Sequence, residues 1–238
     1  MKLKNPALIL YFVSYILYQI FFRLKIDKEV ALLFKPMIVA SILFYYYFYN
    51  NTHNKSKLHF IILGILFIAD NVNLLMETIF YQLALSLYLV ILFVFMYLIL
   101  RDSMLLKKGS KIDKYLGIAT IVGIVSFLLL KIVSLYIVKQ KFHSYYFVTN
   151  YIIVFGTVLI FSFYNFFKHK TLSSRFLLLT LLSLFLSDIF YVVNQYYYSN
   201  KAFIIIACFI ELPCYYFLVN YFINRDVEQE KLDNNISS

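Results

Sequence analysis

Apolar runs long enough to cross a lipid bilayer recur from one end of this 238-residue chain to the other. A helix needs about 20 mostly apolar residues to span a hydrocarbon core of about 30 Å. Runs of that length are separated here by short polar connections. Stretches such as SLYLVILFVFMYLIL (Ser86–Leu100) do not alternate, which excludes the strands of a membrane β-barrel. A soluble domain is excluded by its surface. The chain is 63% hydrophobic and 14% charged, against about 45–50% and 25% in soluble domains. Too few polar side chains remain to cover a water-facing exterior.

The expected fold is an all-α integral membrane bundle of eight transmembrane helices. The spans are read as Pro6–Phe22, Val30–Tyr49, Leu58–Met76, Ile79–Leu100, Tyr115–Val138, Tyr145–Phe167, Arg175–Tyr198 and Ala202–Ile223. Together they make one domain over residues 1–224, followed by a polar tail, 225–238, that is expected to be disordered at its end. The longest connection, Arg101–Lys114, divides the spans into two groups of four. The basic N-terminus followed by an apolar run mimics a signal peptide, but a small-x-small cleavage site is missing, so it reads as an uncleaved first span.

Net charge is +10, yet this does not point to nucleic acid. The 22 Lys and Arg residues lie mostly in connections, and their excess is on the side that holds both termini. Basic residues collect on the cytoplasmic side of short loops, so both termini are expected in the cytoplasm, and richness in Lys, Asn, Ile, Tyr and Phe, as from an AT-rich bacterial genome, gives the expectation of a bacterial inner membrane. Cys208 and Cys214 lie six residues apart in one apolar segment and point different ways on a helix. Neither a disulfide nor a metal site is expected. His53, His59, His143 and His169 fall in connections or at span edges, without a zinc-binding pattern.

Two stretches share a frame: LGILFIAD (Leu63–Asp70) in span three and LLSLFLSD (Leu181–Asp188) in span seven. Each sets a carboxylate about 17 Å from the cytoplasmic end of its helix, just past the midplane. A charge at that depth costs at least about 2.5–3.5 kcal/mol on insertion scales, so both aspartates are expected to face a protein interior or wet cavity. The recurrence also suggests two parallel four-helix halves. Asn73 and Glu77 follow Asp70 on one helix face, and Tyr191 and Gln195 follow Asp188 on another. Glu77 belongs at the outer interface. Lys35, beside Pro36 in span two, either offsets the aspartates, binds a lipid phosphate, or snorkels outward. Glu211 precedes Pro213 at a similar depth, and Tyr216 and Asn220 share a face beyond it.

The order Lys35-Pro36, Gly64 and Phe67 leading to Asp70, Phe185 leading to Ser187-Asp188, and Tyr216 to Asn220 resembles the YhhN-like family of eight-span membrane proteins, which includes lysoplasmalogenases. The chain has Ala69 where the family usually has Gly, no His in span four, and Val219-Asn220 where Ala-Gln is usual. The resemblance implies hydrolysis of the vinyl ether bond of a lysophospholipid of the lysoplasmalogen type. Asp70 and Asp188 would be the catalytic acid/base pair. Lys35, Asn73, Tyr191, Glu211, Gln195, Tyr216 and Asn220 would contact substrate. Water is the only co-reactant, so no cofactor is expected, and the partners are the lysophospholipid and membrane lipids. The rival expectation is a small transporter or lipid-binding membrane protein without hydrolytic activity, since midplane acids and parallel halves also suit carriage.

Overall fold

The computed structural model describes residues 5–23, 27–49, 56–73, 78–105, 145–196 and 200–237. These residues are helical nearly throughout, with no strand among them. The helices are α1 (Pro6–Arg23), α2 (Lys28–Tyr49), α3 (Lys57–Val72), α4 (Thr78–Leu105), α5 (Tyr145–His169), α6 (Leu172–Tyr196), α7 (Lys201–Glu211) and α8 (Cys214–Ser237). Among the described residues, five stretches are long and apolar enough to cross a membrane: Glu29–Tyr49, Phe80–Ser103, Asn150–His169, Leu172–Tyr191 and Lys201–Lys231, with Pro6–Phe22 a shorter apolar helix. The fifth sequence span, Tyr115–Val138, lies outside the described residues.

The helix starts follow from local chemistry. Asn5 caps α1 by accepting from the Ala7 N–H at 3.0 Å, with Pro6 in the first position, where a missing N–H costs nothing. Asp27 Oδ1 accepts from Glu29 and Val30 at the start of α2, and Asn200 Oδ1 accepts from Ala202 at the start of α7. The α5–α6 connection is only Lys170 and Thr171. Lys170 adopts φ 52°, and its N–H bonds back to Phe166 O at 2.8 Å, an αL closure that usually falls to glycine. Thr171 Oγ1 then accepts from the Ser174 N–H at 3.2 Å. Lys170→Gly is therefore expected to stabilise the protein by about 0.5–1 kcal/mol, read as a rise in thermal midpoint in detergent.

The single eighth span expected from sequence, Ala202–Ile223, is two helices. Leu212 and Pro213 form a turn between α7 and α8. Proline has no N–H to donate one turn back, and its ring crowds the preceding turn. Carbonyl groups near such a break need donors in an apolar setting. Helix α1 adds donors at the break: Tyr11 Oη donates to Leu212 O, and Tyr15 Oη donates at 3.2 Å to Cys208 O, which also accepts from the Leu212 N–H at 3.0 Å. Two tyrosines one turn apart thus hold the interruption in place.

The chain packs as two compact units, one of residues 1–63 with 175–238 and one of 64–174. The first unit joins the chain's ends rather than its first four spans. In it, α1 and α2 form a hairpin with Phe21 stacked on Phe34 at 5.9 Å. Tyr11, Tyr46, Tyr221, Phe222, Ile38 and Ile42 form the centre of its core. The segment from Arg225, assigned by sequence to a polar tail, continues α8 through Ser237, and Arg225 and Asp226 are buried. In the second unit, α4 packs against α5, and Leu92, Phe95, Leu98, Phe155 and Val158 of these helices are buried. Lys168 Nζ reaches Ser103 Oγ at 3.2 Å, so the two helices end at the same level and run in the same direction.

Large apolar side chains are exposed along most of the helices, including Leu33 at 70%, Phe93 at 61% and Phe48 at 60%. A water-soluble monomer rarely carries so much exposed apolar surface. With the long apolar helices, this marks an integral membrane protein.

Candidate functional site

The first unit contains a chain of polar side chains that links α1, α6 and α7. Tyr191 Oη donates to Glu211 Oε2 at 3.2 Å and lies 3.6 Å from Cys208 Sγ. Cys208 Sγ donates to Gln19 Oε1 at 3.2 Å. Glu211 closes the last turn of α7, just before the proline break, so its position follows from where Pro213 stops the helix. Tyr191 lies one turn beyond Asp188 on α6, as the i, i+3 spacing requires. The structure thus brings together Tyr191 and Glu211, which sequence placed on separate spans. Asp188 itself is exposed, and its neighbour Ser187 is buried. Ser187 Oγ has no hydrogen-bond partner among the described residues. Tyr191→Phe is expected to cost about 0.6 kcal/mol, the average for a polar contact between membrane helices, read as a lower detergent-unfolding midpoint.

Beside this chain, α1 and α7 enclose a lateral groove of about 250 Å³. Ile16 and Ile20 form one wall, and Ile204, Ile205 and Phe209 the other. Gln19 and Cys208 also border it, but their polar atoms meet each other, so the groove surface is almost all carbon.

The second unit holds Asp70 on α3. It is 4% exposed, and Tyr88 Oη on α4 donates to its Oδ1. A buried carboxylate without donors would be far more costly than one with them. Asn73 stands exposed in the turn that ends α3. Asp70 and Asp188 belong to different compact units.

The remaining expected contacts have local partners. Lys35 Nζ lies 4.9 Å from the centre of the Tyr18 ring, a cation–π contact between α2 and α1. Asn220 is buried, and its Nδ2 donates to Tyr216 O one turn back at 2.7 Å. Tyr216 packs in an aromatic group with Phe12, Tyr45 and Phe217. The side chains of Glu77 and Gln195 lie outside the described residues. Among the described residues, no group of three His, Cys, Asp or Glu side chains is placed to hold a metal ion.

One buried network escaped the sequence reading. Tyr46 Oη on α2 donates to Asp226 Oδ2 on α8 at 2.7 Å and lies 2.9 Å from His59 Nδ1 on α3. His59 Nδ1 is 3.4 Å from Asp226 Oδ1. Its Nε2 faces Arg225 Nη1 at 3.5 Å. Guanidinium nitrogens only donate, so the imidazole accepts at Nε2 and carries its proton on Nδ1, toward Asp226 and Tyr46. The ring also stacks on Phe222 at 4.2 Å. All four polar residues are buried. The partners lie 180 positions apart, and no spacing in the sequence links a span-edge histidine to a charge at the start of a tail.

Comparison of the chain with family models, with curated proteins and with solved structures finds no match.

Proposed function

We propose that this integral membrane protein is a hydrolase that cleaves the vinyl ether bond of lysoplasmalogen-type lysophospholipids, with Asp70 and Asp188 as its acid and base. The observation that carries the reading is Asp70: a carboxylate buried within an apolar helix and oriented by Tyr88. Intramembrane carboxylates are costly and mark functional sites by default. The resemblance of the Lys35-Pro36, Asp70, Ser187-Asp188 and Tyr216–Asn220 residues to the YhhN-like family adds the reaction type. The buried hydroxyl of Ser187 beside Asp188 supports a polar site there.

The chemistry suits two acids. One donates a proton to the β-carbon of the vinyl ether, which leaves an oxocarbenium ion. Water adds to that cation and gives its proton to the other carboxylate. The resulting hemiacetal collapses to a fatty aldehyde and a glycerophospho-base. A carboxylate near the cation stabilises it electrostatically. Lys35, Tyr191, Glu211 and the other polar-face residues would hold the head group and glycerol. The Lys/Arg bias supports eight spans with both termini in the cytoplasm, and the Lys-, Asn-, Ile-, Tyr- and Phe-rich composition supports a bacterial inner membrane.

Incubation of the purified protein with a lysoplasmalogen in detergent, followed by mass analysis, is expected to show aldehyde and glycerophospho-base in equal amounts. Asp188→Asn is expected to stop that release. Intact lipid after incubation with folded wild type would sink the hydrolase reading. The second reading, a lipid-binding or carrier protein without hydrolysis, is favoured by the lateral groove of α1 and α7. It predicts intact lipid in detergent and movement of lipid only across a sealed bilayer.

A further inference from the structure

We propose that the groove between α1 and α7 binds one alkyl chain of an anionic lipid, with the acidic head group held by Lys201. Lys201, Ile204, Ile205, Cys208, Phe209 and Leu212 fall at i, i+3, i+4, i+7, i+8 and i+11, which places them on one face of α7. All but Lys201 line the groove. The face therefore reads as a single stripe: one cation at the end where the helix begins, then only apolar surface down to the proline break.

The dimensions fit one lipid tail. Lys201 and Leu212 are separated by about 16 Å along the helix axis, close to half of the roughly 30 Å hydrocarbon core. A chain anchored at Lys201 thus runs through one leaflet. The groove opens sideways. Ile205 is 55% exposed and Phe209 71% exposed, so a lipid enters from the bilayer without passing through water.

Polarity decides what lies where. Near the floor, Cys208 Sγ is turned to Gln19, and Tyr15 Oη is turned to Cys208 O. No polar atom is offered to a head group inside the groove, so the occupant within it is hydrocarbon. Lys201 is exposed, and its charge complements a phosphate or carboxylate at the mouth. The shared ligand chemistry is an alkyl chain with an anionic head, supplied either by a lysophospholipid or by a fatty acid. The proposal is independent of the hydrolase reading, since it concerns binding and is tested without turnover.

The test uses hexadecyl phosphate carrying a photoreactive diazirine in its chain. It is crosslinked to the full-length protein in nonionic detergent and mapped by peptide mass analysis. Adducts are expected on the α1 segment containing Ile16 and Ile20 and on the α7 segment containing Ile204, Ile205 and Phe209. Lys201→Gln is expected to lower that yield about fivefold, the worth of one basic residue against an acidic head group at a membrane surface. The same substitution should leave labelling by the uncharged diazirine hexadecanol unchanged. Ile205→Trp, which fills the groove, should suppress labelling by both probes. Competition by palmitate as strong as by lysophosphatidate supports the proposal and indicates a fatty acid source, whereas stronger competition by lysophosphatidate supports it with a phospholipid source. Labelling spread evenly over exposed residues such as Phe93 and Tyr97 of α4 would overturn the proposal. So would a Lys201→Gln yield equal to wild type.

Discussion

Asp226→Ala is expected to destabilise the purified protein by about 3 kcal/mol. The carboxylate accepts from Tyr46 Oη at 2.7 Å and stands 3.4 Å from His59 Nδ1. Alanine takes this acceptor away from two donors in a region where Tyr46 is 1% and His59 0% exposed. Each buried donor stripped of its acceptor costs about 1–3 kcal/mol. The loss should appear as a fall of about 2–4 °C in thermal midpoint per kcal/mol. Tyr46→Phe removes one of the donors along with its hydroxyl and should cost about 1 kcal/mol alone. In the double variant the two losses should fall short of their sum, because Asp226→Ala no longer strands Tyr46. Additive losses, or an Asp226→Ala midpoint equal to wild type, would show that the four residues do not act as a network.

The network joins α2, α3 and α8 at a point where charged residues enter a largely apolar unit. His59 as a neutral Nδ1–H tautomer accepts from Arg225 and donates toward Asp226, so Arg225 and Asp226 balance each other around an uncharged ring. Replacing Arg225 or Asp226 alone leaves the other charge uncompensated, which is more destructive than replacing both by apolar residues. Gln229, with its amide oxygen turned toward the guanidinium, accepts from Arg225 Nη2 at 2.8 Å. That contact binds the next turn of α8 to the same cluster.

Under the proposed hydrolase function, Asp70→Asn is expected to reduce aldehyde release from lysoplasmalogen by about 10²–10⁴-fold, the usual contribution of a positioned acid or base. The folded yield should not fall. Asparagine keeps the shape of the side chain and retains an oxygen that can accept from Tyr88 Oη. It loses only the capacity to carry or deliver the proton. Tyr88→Phe leaves the carboxylate in place without its donor and should reduce the rate by a smaller factor, on the order of tenfold. A Tyr88→Phe loss as large as that of Asp70→Asn would transfer the role to the tyrosine. Unchanged turnover in Asp70→Asn would remove Asp70 from the reaction.

Much of the fold was legible because membrane helices must satisfy their own backbone hydrogen bonds and expose apolar side chains to lipid. Long apolar runs therefore declare helices, and the residues between them declare ends. Asn5-Pro6, Asp27 and Asn200 mark starts that the structure places within a residue or two. Pro213 was visible in span eight, but its consequence was not. Whether proline kinks a helix or ends it depends on what packs around the break, and here Tyr11 and Tyr15 of α1 donate to Leu212 O and Cys208 O beside it. The candidate site was legible residue by residue, since a carboxylate in an apolar run is conspicuous on cost alone. Its partners were not. Tyr88 is one tyrosine among 23, and nothing local distinguishes it as the donor to Asp70.

The sequence by itself determined that the described residues are helical, their membrane setting and the positions of most helix ends. These depend on short-range periodicity and on the cost of placing polar groups in hydrocarbon, both of which are properties of a segment alone. Only the tertiary structure decided that the ends of the chain pack together, that Tyr191 meets Glu211, and that His59, Tyr46, Arg225 and Asp226 share one buried cluster. Such pairings join residues far apart in the chain, and their energy exists only once the helices have been packed.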